Sequence, residues 1–388
     1  MKIERIETFT VSAEWKNWLF VKVHTDDGLY GIGEATMNGF IKTTEAAIHE
    51  LAHFAIGRDP RQVNAVLRAV LEPIQDGGHI HRLAAAGIEV ACWDILGKSL
   101  GVPIHQLLGG RLRDSILAYA NGWYRAERTP EAFLDMAVKA AGKGFRALKI
   151  DPFGTASGTI DENNLQVAYD ILKAIRDRFG RDFKILIDVH CRFTPPEALR
   201  VAHRLFPLDL YWWEEPTTAE REELTNEIAA RCPIPVATGE QFERVGKFMT
   251  LAKGGHVGIF QPEPMCLGGI MNTLAVAQIA RASGAWIAPH QSGGPVATAI
   301  CLQLAACVPN FLIQEHFDPF NVAWTRDLVT WHPDIDPQNG HLSLPDKPGL
   351  GLDLNLEVVR EHPYDPDAYF DANKEGWEKR FGVRGKKQ

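Results

Sequence analysis

The rhythm of apolar and polar positions changes once along this chain. Up to residue 34 it is mostly alternating. KIERIETFTV reads as a strand, and WLFVKVHT, DDG and LYGIGEA read as a hairpin with an Asp-Gly turn. Residues 42–72 and 82–99 shift to helical spacing, the second stretch ending on a glycine beyond Leu100. PIHQLLGG closes this part, which predicts an α+β unit of modest size. From residue 115 short apolar runs alternate with helical ones: SILAYANG, FRALKID, KILIDVH, LYWWEEP, IPVATGE, VGIFQPE, AWIAPH and FLIQE. They end at or near Asn121, Asp151, His190, Glu214, Glu240, Glu263, His290 and Glu315, spaced 23 to 39 residues apart. Each gap holds one helix and a return strand. Eight such runs predict a (β/α)-barrel, with a doubly wound sheet or two half-domains as the alternatives. The Gly/Pro-rich stretch LSLPDKPGLGLDLN is expected to leave the barrel and pack back on the first unit. Beyond about Tyr364 the chain is polar and reads as loosely held.

Composition removes several classes. With 388 residues, 45% of them apolar and 23% charged, the chain can bury a large core. Its net charge is -8 and it has no Lys/Arg block, which argues against nucleic-acid binding but leaves room for an acidic small molecule beside a local cation. The charged first six residues and the lack of a cleavage signal predict no signal peptide and a cytoplasmic protein. The stretch from Ala282 to Gln314 lacks Asp, Glu, Lys and Arg, but its glycines and prolines break it. It is expected to be buried barrel wall, not membrane. Six cysteines with no CxxC predict reduced thiols, and nothing in the sequence marks a base that would make Cys191 a nucleophile. Gly31 and Gly33 lie inside a strand, where a nucleotide loop would need them between strand and helix.

The strand ends carry the candidate chemistry. In a barrel they face one mouth. Lys149 and Asp151 belong to the second strand and Asp188 and His190 to the third, each pair sharing a face. Glu214, Glu240, Glu263, His290 and Glu315 follow on the next five. Strands often end in polar residues simply because loops begin there, but an unbroken run of ionisable ends asks for more. Clustered carboxylates repel one another unless positive charge lies among them. Oxygen ligands at Asp188, Glu214 and Glu240 suit Mg2+, with zinc through His190 and His290 as the rival. Both histidines suit proton transfer near neutrality. One of Trp212 and Trp213 is expected between barrel and helices, while His79, His81, Lys98 and Arg111 read as structural or surface residues.

The motifs ALKID, LIDVHCRF, WWEEP, ATGE, QPEPMCLGGI, APHQSGGP and IQE, in this order and spacing, resemble the enolase superfamily in its mandelate racemase branch. DVH on the third strand and PHQSGGP on the seventh resemble the acid-sugar dehydratases of the galactonate dehydratase type. The resemblance implies an α/β fold: a capping α+β domain over 1–112, a (β/α)7β TIM-like barrel over 113–345, and a segment over 346–388 returning to the cap. It implies Mg2+ on Asp188, Glu214 and Glu240, His290 as the base that takes the α-proton, and His190 as the acid for the departing 3-hydroxyl. Glu315 would hydrogen-bond a carboxylate oxygen as a neutral acid or with a shared proton, and Lys149 would add positive charge near the substrate carboxylate. Cap loops near Trp15–Trp18 and Met37–Phe40 would read the polyol chain, which makes Trp15, Asn38, Lys149 and Asp151 the expected substrate contacts. A homo-oligomer acting on a small sugar acid is also implied, with no nucleic-acid or membrane partner.

The chain departs from the branch in two places. Racemases of the group carry KxK on the second strand, whereas here Asp151 stands in the second lysine's place. That removes the usual second base and favours dehydration over racemisation. The aspartate that normally pairs the seventh-strand histidine reads Glu263, one methylene longer. The alternatives to a dehydratase are an epimerase or cycloisomerase of the same superfamily, or a non-catalytic barrel. The stereochemistry of the sugar acid is not legible.

Overall fold

A computed structural model describes residues 1–36, 39–74, 77–372 and 374–377. Strands β1 (Ile3–Ser12), β2 (Asn17–Thr25) and β3 (Tyr30–Glu34) form an antiparallel sheet in that order, the β2–β3 turn passing through Gly28 at φ 87°. Helices α1 (Ile41–Ala55), α2 (Val63–Leu71), α3 (Gly78–Leu100) and α4 (Ile104–Leu107) follow. The expected helical segment 42–72 is therefore two helices. Gly57, at φ 82°, takes a left-handed conformation beyond α1, and Pro60 cannot continue a helix. The Gly31/Gly33 pair has a packing role: a Cβ at either position would run into the backbone carbonyl of Ala91 or Gly87 on α3.

The second unit repeats strand and helix: β4 (Ser115–Ala120), α5 (Pro130–Gly142), β5 (Ala147–Ile150), α6 (Glu162–Phe179), β6 (Lys184–Asp188), α7 (Pro195–Leu205), β7 (Trp212–Glu214), α8 (Glu222–Ala229), β8 (Val236–Thr238), α9 (Val245–Gly254), β9 (Ile259–Phe260), α10 (Ile270–Ala282), β10 (Trp286–Ile287), α11 (Pro295–Cys307) and β11 (Gln314–His316). Strands β4 to β10 pair in parallel in chain order, and β11 pairs with β4. The seam between β10 and β11 closes at Ile287, whose N–H donates to Asn310 O and whose carbonyl accepts from Leu312 N, both at 2.9 Å. This is a (β/α)7β barrel with a capping unit. Local signals set the helices. In α6, Asp161 caps by accepting from Asn164 N at 2.9 Å, and Leu165, Ala168, Ile171, Leu172 and Ile175 form the inward stripe.

Tyr119, Trp212, Leu186, Ile259 and Ile313 plug the barrel interior, with Ala147, Ala237 and Ala288 making room for the two large rings. Trp213 points the other way, into the layer between barrel and helices. The charge-free stretch contains α11, buried along its whole length between cap and barrel. No helix among the described residues is long and apolar enough to cross a membrane, and all six cysteines are free. After the barrel, β12 (His341–Ser343) pairs with β4, Leu350 and Leu352 enter the cap core, and α12 (Leu356–Glu361) lies against β1. The expectation of a loosely held end is corrected for the described residues: Ala368 and Trp377 are buried. A few apolar side chains dock an otherwise polar run.

Two buried glutamates bind cap to barrel. Glu34, at the end of β3, accepts from Gly294 N at 2.6 Å and Ala297 N at 2.9 Å, at the start of α11. Glu89, within α3, accepts from Ile270 N at 3.0 Å and Met271 N at 3.1 Å, at the start of α10. Each carboxylate satisfies two N–H groups that the helix itself leaves unpaired.

Burial raises both carboxyls to about 7 from an ordinary 4.5, against the pull of the N–H donors. The native state therefore holds these protons more tightly than the unfolded chain. The stability tied to them is complete below about pH 4.5 and is lost as pH rises through about 7. Urea unfolding across this range should show the wild-type advantage over Glu34→Gln, and over Glu89→Gln, shrinking with rising pH. A difference that does not change with pH would contradict the assignment.

Candidate active site

The strand ends converge as the barrel requires. Lys149 lies at the centre of the mouth, 1% exposed. Its ammonium donates to Glu214 Oε1 at 2.5 Å and lies 3.1 Å from Asp188 Oδ2 and 3.0 Å from Glu315 Oε1. Burial opposes its charge, but Asp188, Glu214 and Glu315 outweigh it and hold the amine protonated. Asp188, Glu214 and Glu240 offer carboxylate oxygens within 4.8 Å of one another. Burial and the neighbouring carboxylates push the Glu214 carboxyl well up, despite Lys149. Glu240 Oε2 is buried and accepts no hydrogen bond among the described residues. One ammonium is too little charge for this cluster, and the all-oxygen donor set fits a hard divalent cation. Asp188, Glu214 and Glu240 are the group that could hold it. The zinc alternative through both histidines finds no support among the described residues, because the group of ligand atoms that come together is Asp188, Glu214 and Glu240 and includes neither imidazole.

The two histidines flank this cluster. His190 Nδ1 is 2.7 Å from Asp151 Oδ2, and its Nε2 is 3.5 Å from Asp188 Oδ2. His290 Nδ1 is 2.8 Å from Glu263 Oε2, and its Nε2 is 3.5 Å from Glu240 Oε2. Each ring is thus oriented by one carboxylate and turns its other nitrogen to the cluster. The longer Glu263 side chain reaches because its loop folds back, Glu263 Oε1 accepting from Met265 N at 3.2 Å. Burial lowers the pKa of His290, but Glu240, Glu315 and Glu263 prevail and raise it to about 10. His190 is raised in the same way, by Asp188 and Asp151 against burial.

His190 sits on unusual backbone. His190 and Cys191 both take left-handed conformations, at φ 51° and 57°, which cost about 1–3 kcal/mol each. Hydrogen bonds hold the turn: His190 N to Asp188 Oδ1 at 3.0 Å and Cys191 N to Glu215 O at 2.9 Å. The turn brings the imidazole back over the mouth. The Cys191 thiol donates to Glu215 Oε2 at 2.8 Å, and burial raises its pKa well above the usual range, so it is no thiolate nucleophile.

A cavity of about 280 Å3 opens beside the cluster, lined by Asp188, His190, Glu240, Glu263 and His290 together with Trp15, Lys16, Ser292, Phe317 and Phe370. Trp15 is part of this wall, stacked on Phe317 at 5.4 Å. Asn38 and Met37 lie outside the described residues. Three expected contacts need correction. Lys149, committed to the carboxylates around it, does not line the cavity. Asp151 is fully buried and does not line the cavity. Its carboxylate is taken by His190 and by Arg192, whose Nη2 donates at 2.7 Å and Nε at 3.0 Å. The surroundings of Glu315 favour its ionised form over the neutral acid expected for it. Lys149, whose Nζ stands 3.0 Å away, and His290 pull its carboxyl down against the effect of burial, helped by donation from Gln291 N and Asn121 Nδ2.

The sequence reading missed Lys16, Arg192 and Phe370. Lys16 Nζ donates to Ser292 Oγ at 3.1 Å within the cavity wall. It lay in the cap loop already singled out, and Arg192 lay in the LIDVHCRF motif. Phe370 had no signal beyond being an aromatic in a polar run. His81 is structural, with Nε2 2.7 Å from Val70 O, and His79 Nε2 meets Gln241 O at 2.8 Å.

Known proteins share this arrangement of chain. The model of the mandelate racemase / muconate lactonizing enzyme N-terminal domain matches residues 5–109, and that of the enolase C-terminal domain-like family matches residues 132–358. A D-galactonate dehydratase of Pectobacterium atrosepticum is 36% identical over 370 residues, which cover 93% of this chain and 94% of the relative. A D-gluconate dehydratase of Thermoproteus tenax is 32% identical over 363 residues, covering 91% of this chain and 71% of the relative. The crystal structure of a mandelate racemase/muconate lactonizing enzyme from Jannaschia sp. CCS1 superimposes with a TM-score of 0.87 at 31% identity, covering 95% of this chain and 99% of that one.

The donor set can be tested without a substrate. Mg2+ or Mn2+ at about 100 times its Kd should stabilise the protein by about 2.7 kcal/mol, read as a rise in Tm. In Glu240→Gln, which leaves Lys149 and its partners intact, most of that rise should vanish. A full rise in this variant would remove Glu240 from the ligand set.

Proposed function

The chain belongs to the mandelate racemase/muconate lactonizing enzyme branch of the enolase superfamily, and on that premise we propose that it is a Mg2+-dependent hydro-lyase that dehydrates an aldonate of four to six carbons to a 2-keto-3-deoxy acid. One observation carries the reading: two carboxylate-backed imidazoles face the oxygen cluster from two strands, next to a cavity roomy enough for a small sugar acid. The D-galactonate and D-gluconate dehydratases among its relatives support the same chemistry.

Asp188, Glu214 and Glu240 would hold the Mg2+, which when bound supplies fixed positive charge where loss of the α-proton concentrates negative charge on a group already anionic. His290 Nε2 takes the α-proton, and Glu263 on Nδ1 fixes the ring and stabilises the imidazolium. Glu240, Glu315 and Glu263 raise the pKa of this ring against burial, and a cation held by the neighbouring carboxylates would favour its base form. His190 Nε2 gives a proton to the departing 3-hydroxyl, with Asp151 and Arg192 behind it. Lys149 offsets part of the negative charge of the cluster, and Glu315 fixes Lys149 and the His290–Gln291 loop.

The near-equivalent placement of the two histidines also favours a second reading, two-base epimerisation of the same acid. A panel of stereochemically complete four- to six-carbon aldonates in deuterated water separates the two. Dehydration yields a 2-oxo acid, whereas epimerisation labels the α-carbon and loses no oxygen. His290→Asn should lower both product formation and α-proton exchange by about 10²–10⁴-fold, and His190→Asn should lower product formation by a similar factor while sparing exchange. Full turnover in either variant would remove that residue from its role. Glu263→Gln should lower kcat more than it raises KM, and an unchanged kcat would exclude Glu263 as the group that orients the base.

A further inference from the structure

The mechanism above makes no use of the residues that follow α12. Those that the structure describes form a hook over the His190 side of the mouth. Asn17, in the cap, fastens its start. The Asn17 side-chain amide donates to Asp365 O at 2.8 Å and Ala368 O at 3.1 Å, and its oxygen accepts from Asp365 N at 2.9 Å. Phe370 enters the cavity wall, its ring set edge-on against Trp15 at 5.9 Å. Trp377 closes the hook, 5% exposed, with its indole N–H donating to Gly154 O at 3.1 Å.

Both aromatic rings lie against the imidazole of His190. Trp377 meets it edge to face at 6.0 Å and 84°, Phe370 lies at 6.3 Å and 50°, and the two pack on each other at 5.7 Å. Arg192 joins this packing to the charged side of the ring. Its guanidinium grips Asp151, the carboxylate on His190 Nδ1, donates through Nη2 to Ala372 O at 3.2 Å, and stands 5.6 Å from the Trp377 ring. His190 and Cys191 both hold left-handed backbone, so packing must keep the imidazole where the turn has placed it. His290 makes none of these ring contacts among the described residues.

We propose that Trp377, supported by Phe370, is a positioning residue for His190: the C-terminal hook fixes the imidazole at the angle from which it protonates the leaving hydroxyl, and so selects elimination over return of the proton to the α-carbon. The inference rests on the dehydration proposed above and extends it to a segment far from the barrel strands in sequence. It divides the two half-reactions. Proton abstraction by His290 does not need the hook. Departure of the hydroxyl needs a donor held within hydrogen-bond reach, where a displacement of about 1 Å costs on the order of 10²-fold in rate.

The experiment measures a ratio, so a general loss of activity does not mimic it. Wild-type protein, Trp377→Ala and Trp377→Phe, each as the full chain with Mg2+, are incubated in deuterated water with D-galactonate, D-gluconate and the rest of the aldonate panel. Deuterium at the α-carbon of recovered substrate is then compared with 2-oxo acid formed. In Trp377→Ala the ratio of exchange to elimination should rise at least tenfold, and in Trp377→Phe, which keeps an aromatic edge on the imidazole, it should return to within about threefold of wild type. Equal falls in both rates, or a Trp377→Phe ratio as high as that of Trp377→Ala, would overturn the assignment. Should Trp377→Ala fail to fold, Phe370→Leu is read on the same ratio, and no change there overturns it equally. A wild-type protein that makes no 2-oxo acid from any member of the panel would instead refute dehydration itself, and this inference with it.

Discussion

The Lys149 ammonium is the constraint on which the mouth of this barrel is built. Asp188, Glu214 and Glu315 come from three different strands, and each reaches the same nitrogen. Two unit charges about 4 Å apart interact by about 4 kcal/mol at an effective dielectric of 20. Several uncompensated carboxylates would therefore cost an amount comparable to the whole stability of a domain, about 5–15 kcal/mol. Lys149 offsets part of this from within, and what it leaves over is a demand for cationic charge beside Glu240. The same arithmetic places the polar residues. Glu315 is saturated with donors and stays an anion, while Glu240 keeps an oxygen free of hydrogen bonds.

Around that centre the two histidines differ in support, not in basic plan. His290 follows a short strand and leads into α11, whose first turn is held by Glu34 from the cap. His190 follows a strained turn and is held from behind by Asp151, Arg192 and the aromatic rings of the chain's end. One ring is set by the barrel and the cap sheet. The other depends on a segment that returns from the far end of the chain.

Much of this was legible in the sequence, because the signals were periodic or terminal. Apolar runs ending on Lys149, Asp188, Glu214, Glu240, His290 and Glu315 report strand ends, and a barrel sends strand ends to one place. Partnership was harder to read. Asp151 and Arg192 are 41 positions apart and meet only because β5 and β6 are neighbours. The charge preference of Glu315 turns on Lys149 and His290, and then on Gln291 and Asn121, whose contacts with it no spacing rule reveals. Residues 42–72 looked continuous because the helical rhythm on both sides hides a break made by Gly57 and Pro60. The hook escaped notice because its few aromatic residues carry no period.

The starts of α10 and α11 have a consequence for how such a molecule is inherited. Gly269 and Gly294 precede these helices; the Glu89 carboxylate lies where a Gly269 side chain would be, and Phe20, Trp18 and Glu34 crowd the place of one at Gly294. A Cβ at Gly269 would strike Glu89, and one at Gly294 would stand 3.2 Å from Glu34 Oε1. The cap is thus keyed to its barrel by atoms the barrel does not have. A chimera that grafts a foreign cap onto this barrel must bring a glutamate to each empty place, and a foreign barrel must bring the two glycines. Cap and barrel are separable units to the eye, but at these two contacts they are a matched pair.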